Sequence, residues 1–259
     1  MKFYIFNSDF NLIGKLEDAG FTGNLFTYNT NQADYFTQIA KDVGIHKKIK
    51  YMFAIRPHVI SPEYLIMIDK GIKEISRGNR LQINLISGHI KEDEKDVVRT
   101  LGPITNKSTT IERSKYLIEY VDLMNTLSER DKPDYYISVS NNFTFDTASK
   151  YNDKMIIQYS QYINNTYNLK DKRVMIAVTP VIRRTQEELD NLEEYNIQHK
   201  IDLKTFTYDQ MTEMVNKIKN EGIDEIIFSA WNAGDTEEII NFVKDYNENN
   251  KEKRYIWKT

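Results

Sequence analysis

Several short polar groups interrupt an otherwise apolar pattern, most of them just where an apolar run ends. Ser138-Val139-Ser140-Asn141-Asn142 sets hydroxyls and amides between a β-like run and a helical one. Donors at a helix start are what a phosphate group needs, although an ordinary polar turn has the same make-up. Asn84, followed by Ser87, lies in the run Leu81 to Ile86, and an amide there must find partners, from a ligand or from packing in a barrel layer. Arg56 follows the run at 51–55. Its permanent charge suits an anionic substrate, a cofactor group or a structural ion pair. His58 and His89 stand near two such strand ends and are candidate proton donors, with a plain surface position as the alternative. Tyr28 closes the run from Asn24 and is a candidate substrate contact.

Other chemistries are disfavoured. There is no cysteine, which removes disulfides, thiolate metal sites and a cysteine nucleophile; no metal site is expected. The strand ends lack a pair of carboxylates, so a glycosidase mechanism finds little support. No Gly-x-Gly-x-x-Gly is present.

Residues 51–89 show how these groups are carried. An apolar run at 51–55 stops at Arg56-Pro57-His58, because proline removes a ladder donor and restricts its predecessor. A helix begins at Ser61 as N-cap, with Pro62 first and Glu63 at the positive end of the dipole. Tyr64, Leu65, Ile68, Ile72 and Ile75 then recur at helical spacing as one buried stripe. Gly78 is expected to end the helix in the left-handed cap conformation, and Leu81 to Ile86 returns as a strand. A single crossover helix makes this a βαβ unit with parallel strands.

The rest of the chain repeats the alternation. Strands are expected at Lys2 to Phe6, Asn24 to Tyr28, Tyr135 to Val139, Met155 to Tyr159, Val174 to Ile182 and Glu225 to Phe228. Helices are expected at Gln32 to Val43, Ile111 to Ser128, Gln186 to Tyr195, Tyr208 to Asn220 and Thr236 to Tyr246, with a short one around Asp146. After Gly88 a charged connection is expected, to about Thr110. Eight strands alternating with helices in about 250 residues is the pattern of a single-domain (β/α)8 TIM barrel; an open doubly wound sheet is the structural alternative. In a barrel, function gathers on the rim at the C-terminal strand ends.

With 259 residues and 40% hydrophobic content the chain can bury a full core. A net charge of -3 argues against a nucleic-acid or anionic-membrane partner. No apolar run approaches the roughly 18 residues that span a bilayer, and MKFYIFNSD does not read as a signal peptide, so a cytoplasmic protein is expected. The triplet Asn142-Phe143-Thr144 then reads as a chance sequon.

The strand ending Ala54-Ile55-Arg56-Pro57, the helix opening Ser61-Pro62, the turn Ser76-Arg77-Gly78 and the strand Gln82 to Gly88 together resemble, in order and spacing, bacterial-luciferase-like flavin monooxygenases. Within that superfamily they are most similar to the alkanesulfonate monooxygenase branch. Gly20 to Leu25, Glu112-Arg113, Tyr135-Tyr136 and Gly222-Ile223-Asp224 extend the resemblance along nearly the whole chain. It implies a TIM barrel that inserts one oxygen atom from O2 into a small organic or biosynthetic substrate, possibly carrier-attached. The implied cofactor is reduced FMN supplied by a separate flavin reductase, with Asn84, Ser87, Ser138, Ser140 and Asn141 as flavin contacts. A homodimer through the helices beside the second and third strands is also implied, for which Tyr35 and Phe36 are suited if exposed; they are equally suited to the core. The chain departs from the pattern in several places. Ser138 and Val139 stand for two glycines of the phosphate loop, His89 for another glycine, and Gln32 for a cysteine. Val178 and Pro180 replace an arginine and a histidine, so sulfonate specificity is not carried over. Only about 40 residues separate the seventh and eighth strands, so the relatives' long lid insertion is mostly missing. A flavin-binding relative without turnover and a deazaflavin-dependent oxidoreductase are the alternative activities.

Overall fold

The computed structural model describes residues 1–27, 34–87, 109–128, 131–151, 154–199 and 204–256, with side chains to 192 and 250 in the last two stretches. In chain order these form β1 (Lys2–Phe6), α1 (Ile13–Ala19), β2 (Gly23–Thr27), α2 (Tyr35–Asp42), β3 (Lys50–Ile55), α3 (Pro62–Ser76), β4 (Leu81–Leu85), α4 (Thr110–Leu127), β5 (Tyr135–Ser138) and α5 (Asn142–Tyr151). There follow β6 (Lys154–Gln158), α6 (Tyr159–Ile163), β7 (Arg173–Val178), β8 (Pro180–Arg183), α7 (Gln186–His199), β9 (Lys204–Thr207), α8 (Tyr208–Asn220), β10 (Glu225–Ser229) and α9 (Ala233–Ile256). Eight strands close a barrel in the order β1-β10-β7-β6-β5-β4-β3-β2. The fold is therefore a (β/α)8 barrel, and the open sheet is excluded. Among the described residues no helix is long and apolar enough to cross a membrane.

The apolar stretch 174–182, expected as one strand, is two. β7 ends at Val178, and β8 leaves the barrel to pair in parallel with β9, Pro180 opposite Lys204 through Arg183 opposite Thr207. Pro180 has no N–H for a barrel ladder, which suits it to the first position of a strand. β9 itself, Lys-Thr-Phe-Thr, is too short to stand out by alternation.

Helix α3 confirms its expected start, since the Ser61 hydroxyl accepts the Tyr64 N–H at 3.3 Å. Its end and its face differ. Arg77, with φ 53°, takes the left-handed position, and Gly78 N–H bonds Lys73 O at 3.2 Å. This is a Schellman closure one residue earlier than expected. The buried face carries Pro62, Leu65, Ile66, Asp69 and Ile72, while Tyr64, Met67 and Ile75 are 57%, 66% and 55% exposed. The helix thus has two apolar faces, and periodicity could not say which one meets the barrel. Because an L side chain at Arg77 is held in a conformation natural to glycine, Arg77→Gly should raise stability by about 1 kcal/mol. A urea midpoint that does not rise would refute this.

Two compact units are evident, Met1–Asn24 with Met175–Thr259, and Leu25–Val174. In the first, Phe3 stacks on Phe228 at 5.9 Å and meets Tyr246 edge-on at 5.3 Å, joining β1 and β10 to α9. In the second, Tyr35 and Phe36 are not an open patch. Phe36 lies 4.4 Å and Tyr35 5.8 Å from Phe53 on β3, which settles both as packing between α2 and the barrel wall.

Candidate active site

The described candidate residues all lie in the second unit, and the pleat decides what they face. Successive side chains of a strand point to opposite sides. On β3, Tyr51 and Phe53 turn outward: Tyr51 stacks with Phe26 and Phe53 meets the α2 aromatics. Tyr135 of β5 turns outward too, its hydroxyl 3.3 Å from Asn125 on α4. The alternate residues therefore line the inner side of the wall, where they form two polar levels. At the N-terminal strand ends, Asp134 pairs with Lys154, accepts Gln82 Nε2 at 2.9 Å and lies 4.0 Å from Lys50. At the C-terminal ends, Ser138 Oγ donates to Asn84 Oδ1 at 2.9 Å. Tyr136, fully buried, stands between the levels, opposite Asn84 in register.

The upper level continues onto the loops. Ser87 Oγ lies 3.4 Å from Ser140 Oγ, and Arg113 Nε donates to Ser87 O at 3.2 Å. Arg56 and His58 are both buried at the end of β3, in a turn closed by Val59 N–H to Arg56 O at 2.9 Å. The surface alternative for His58 is thus set aside. Tyr28 and His89 lie outside the described residues. The structure therefore links Asn84 with Ser138 and Ser87 with Ser140, and buries Arg56 and His58 on the adjoining strand end. Tyr159, where β6 passes into α6, has its hydroxyl pKa raised by burial, so it is a neutral hydrogen-bonding group at physiological pH.

Sequence reasoning passed over Thr144 and Ser114. Both are fully buried. Thr144 Oγ1 accepts the Ser140 and Asn141 N–H groups at 2.9 and 3.1 Å and donates to Asn141 O at 2.9 Å. Asn141 Oδ1 in return accepts Thr144 N–H at 3.0 Å, and its Nδ2 reaches Ser114 Oγ at 3.2 Å. This is the reciprocal logic of a capping box, with threonine in the place usual for glutamate. The spacing Asn-x-x-Thr at a strand-to-helix junction was the available signal.

These bonds test the loop against FMN. A phosphate at the strand-five loop would call on the Ser140 and Asn141 amides and on the hydroxyls of Ser138 and Ser140. The amides are held by Thr144, Ser138 is held by Asn84, and Ser140 faces Ser87. Val139 donates its N–H to Ile156 O at 2.9 Å and buries its side chain where the related pattern has glycine. As folded, the loop does not fit a phosphate. The Asn84–Ser138 pair, Arg56 and His58 are the polar groups suited to the nitrogen and oxygen edge of a flavin ring.

Solved structures resemble this one along nearly the whole chain. The riboflavin lyase solved with modified FMN and its substrate riboflavin matches at a TM-score of 0.72 and 10% identity, over 97% of this chain and 92% of that one. The EDTA monooxygenase of Chelativorans sp. BNC1 matches at 0.69 and 9% identity, over 97% and 94%. The coenzyme F420-dependent tetrahydromethanopterin reductase of Methanopyrus kandleri matches at 0.66 and 13% identity, over 94% and 97%. No protein-family model and no curated protein matches the sequence. At these identities the likeness is one of fold: the chain has the (β/α)8 barrel that these three enzymes share.

Proposed function

We propose that the protein is a flavin-dependent monooxygenase of the luciferase-like kind, nearest by motif to the alkanesulfonate branch, acting in the cytoplasm on a small organic, biosynthetic or carrier-attached substrate. What supports the reading above all is a barrel matched nearly from end to end to a monooxygenase and to a lyase solved with modified FMN. A reduced flavin held at this rim, FMN from a separate reductase in this reading, would supply the two electrons with which one oxygen atom of O2 enters the substrate and the other leaves as water. The chain's own groups would do the positioning. Asn84 and Ser138 offer a paired amide and hydroxyl, Arg56 a permanent positive charge for an anionic portion of cofactor or substrate, and His58 a proton at a buried strand end. The burial of Arg56 and His58 keeps water from them.

Anaerobic titration with oxidised and photoreduced FMN tests the reading. The reduced form should bind at least about tenfold more tightly, and O2 should be consumed in step with substrate. Binding of neither form rejects the proposal. Tight binding without oxygen consumption favours a non-catalytic flavin carrier, and preference for a deazaflavin favours hydride transfer, a reading in keeping with the likeness to the F420-dependent reductase.

We also infer a homodimer. Its support is the outward apolar face of α3, with Tyr64, Met67 and Ile75, and the exposed Leu123 and Leu127 on α4, a helix that packs against α3. A charge at the centre of such a face is expensive to bury. Met67→Glu should therefore weaken self-association by roughly a hundredfold, about 2–3 kcal/mol, as read by sedimentation velocity. A monomeric parent protein, or a variant that dimerises unchanged, would sink the inference.

A further inference from the structure

We propose that a flavin bound by this chain gains little from its phosphate, so that riboflavin binds about as well as FMN. The inference rests on the flavin reading above and narrows its ligand. Its basis is the saturation of the strand-five loop. A hydroxyl has one proton to give and room for two acceptor contacts. Thr144 uses all three, on Ser140 N–H, Asn141 N–H and Asn141 O. With Thr144 fully buried, those amides point into the turn and not towards a ligand. Asn141 is equally committed, its oxygen to Thr144 N–H and its nitrogen to Ser114. Only the first-turn amides of Asn142 and Phe143 lie outside this network.

The consequence is quantitative. A phosphate held by two or three charge-assisted hydrogen bonds would favour FMN over riboflavin by roughly a hundredfold or more. Here two amides, those of Asn142 and Phe143, are left for it, and engaging any other donor of the loop means breaking bonds already made, so the net gain is well below that. Thr144 acts as a positioning residue: it decides where two backbone donors point.

The experiment measures reduced FMN and reduced riboflavin binding to the full chain under anaerobic conditions, then repeats both with Thr144→Val, which keeps the side-chain shape and removes the hydroxyl. The parent protein should bind the two flavins within about threefold of each other. In the variant the freed amides should raise the preference for FMN at least roughly tenfold. Because each preference is a ratio within one preparation, loss of folded protein does not move it. If the variant does not fold, the parent ratio still decides. FMN bound more than about thirtyfold tighter by the parent, or a ratio unchanged by Thr144→Val, overturns the inference while leaving the flavin reading standing. Binding of neither flavin overturns both.

Discussion

Arg80→Ala should lower the unfolding free energy by about 3 kcal/mol. The guanidinium is buried just before β4, where Nε donates to Ile49 O at 2.7 Å and a terminal nitrogen donates to both Ile49 O and His46 O. It thereby satisfies the carbonyls of the loop that delivers the chain into β3, and it lies 5.7 Å from the Tyr51 ring centroid. Removing it strands those acceptors in the protein and leaves a void. Arg80→Lys should recover less than half of the loss, because one ammonium cannot reproduce a planar fork. The check is urea denaturation, with a lower midpoint and an unchanged slope. Near-parent stability in the alanine variant would show that water serves those carbonyls adequately.

Asp134→Asn should cost about 2 kcal/mol near neutral pH, and the cost should vanish in acid. Burial by itself would raise this carboxyl's pKa, but the bonds from Lys154 and Gln82 and the nearby Lys50 outweigh it and hold the pKa below the ordinary value. The sign follows. A folded-state pKa lower than the unfolded one means the unfolded chain takes up protons first, so the stabilisation is complete above the unfolded value of about 3.9 and is lost as pH falls through the folded one. Parent and variant stability curves should therefore converge at low pH. Parallel curves would mean that Asp134 contributes shape and hydrogen bonds only. The residue sits at the N-terminal strand ends, so activity per folded molecule should be unchanged, in keeping with a barrel that holds stability at one end and function at the other.

The candidate site was legible in part. Asn84 was conspicuous as an amide in an apolar strand, and its partner Ser138 was already a candidate, though nothing in the one-dimensional pattern joined them. They are 54 residues apart in sequence and 2.9 Å apart in space. Ser138 and Ser140 were read as donors for a ligand. The structure shows that donors also serve the protein: a threonine three residues after Asn141 takes up the amides. Hydrogen-bonding capacity is visible in residue type, whereas its use depends on which neighbour arrives first.

By itself the sequence determined the alternation of strands and helices, the βαβ handover at 51–89 and hence the barrel, because period, proline and capping residues act within a few neighbours along the chain. Tertiary structure decided the rest. Which of two apolar faces of α3 meets the barrel, where the stretch 173–183 leaves it, whether Tyr35 and Phe36 are core, and whether the strand-five amides face a ligand or Thr144 all turn on contacts between residues that compete for the same space. Local propensity carries no information about that competition, since its outcome depends on the packing of neighbours that only the closed barrel brings together.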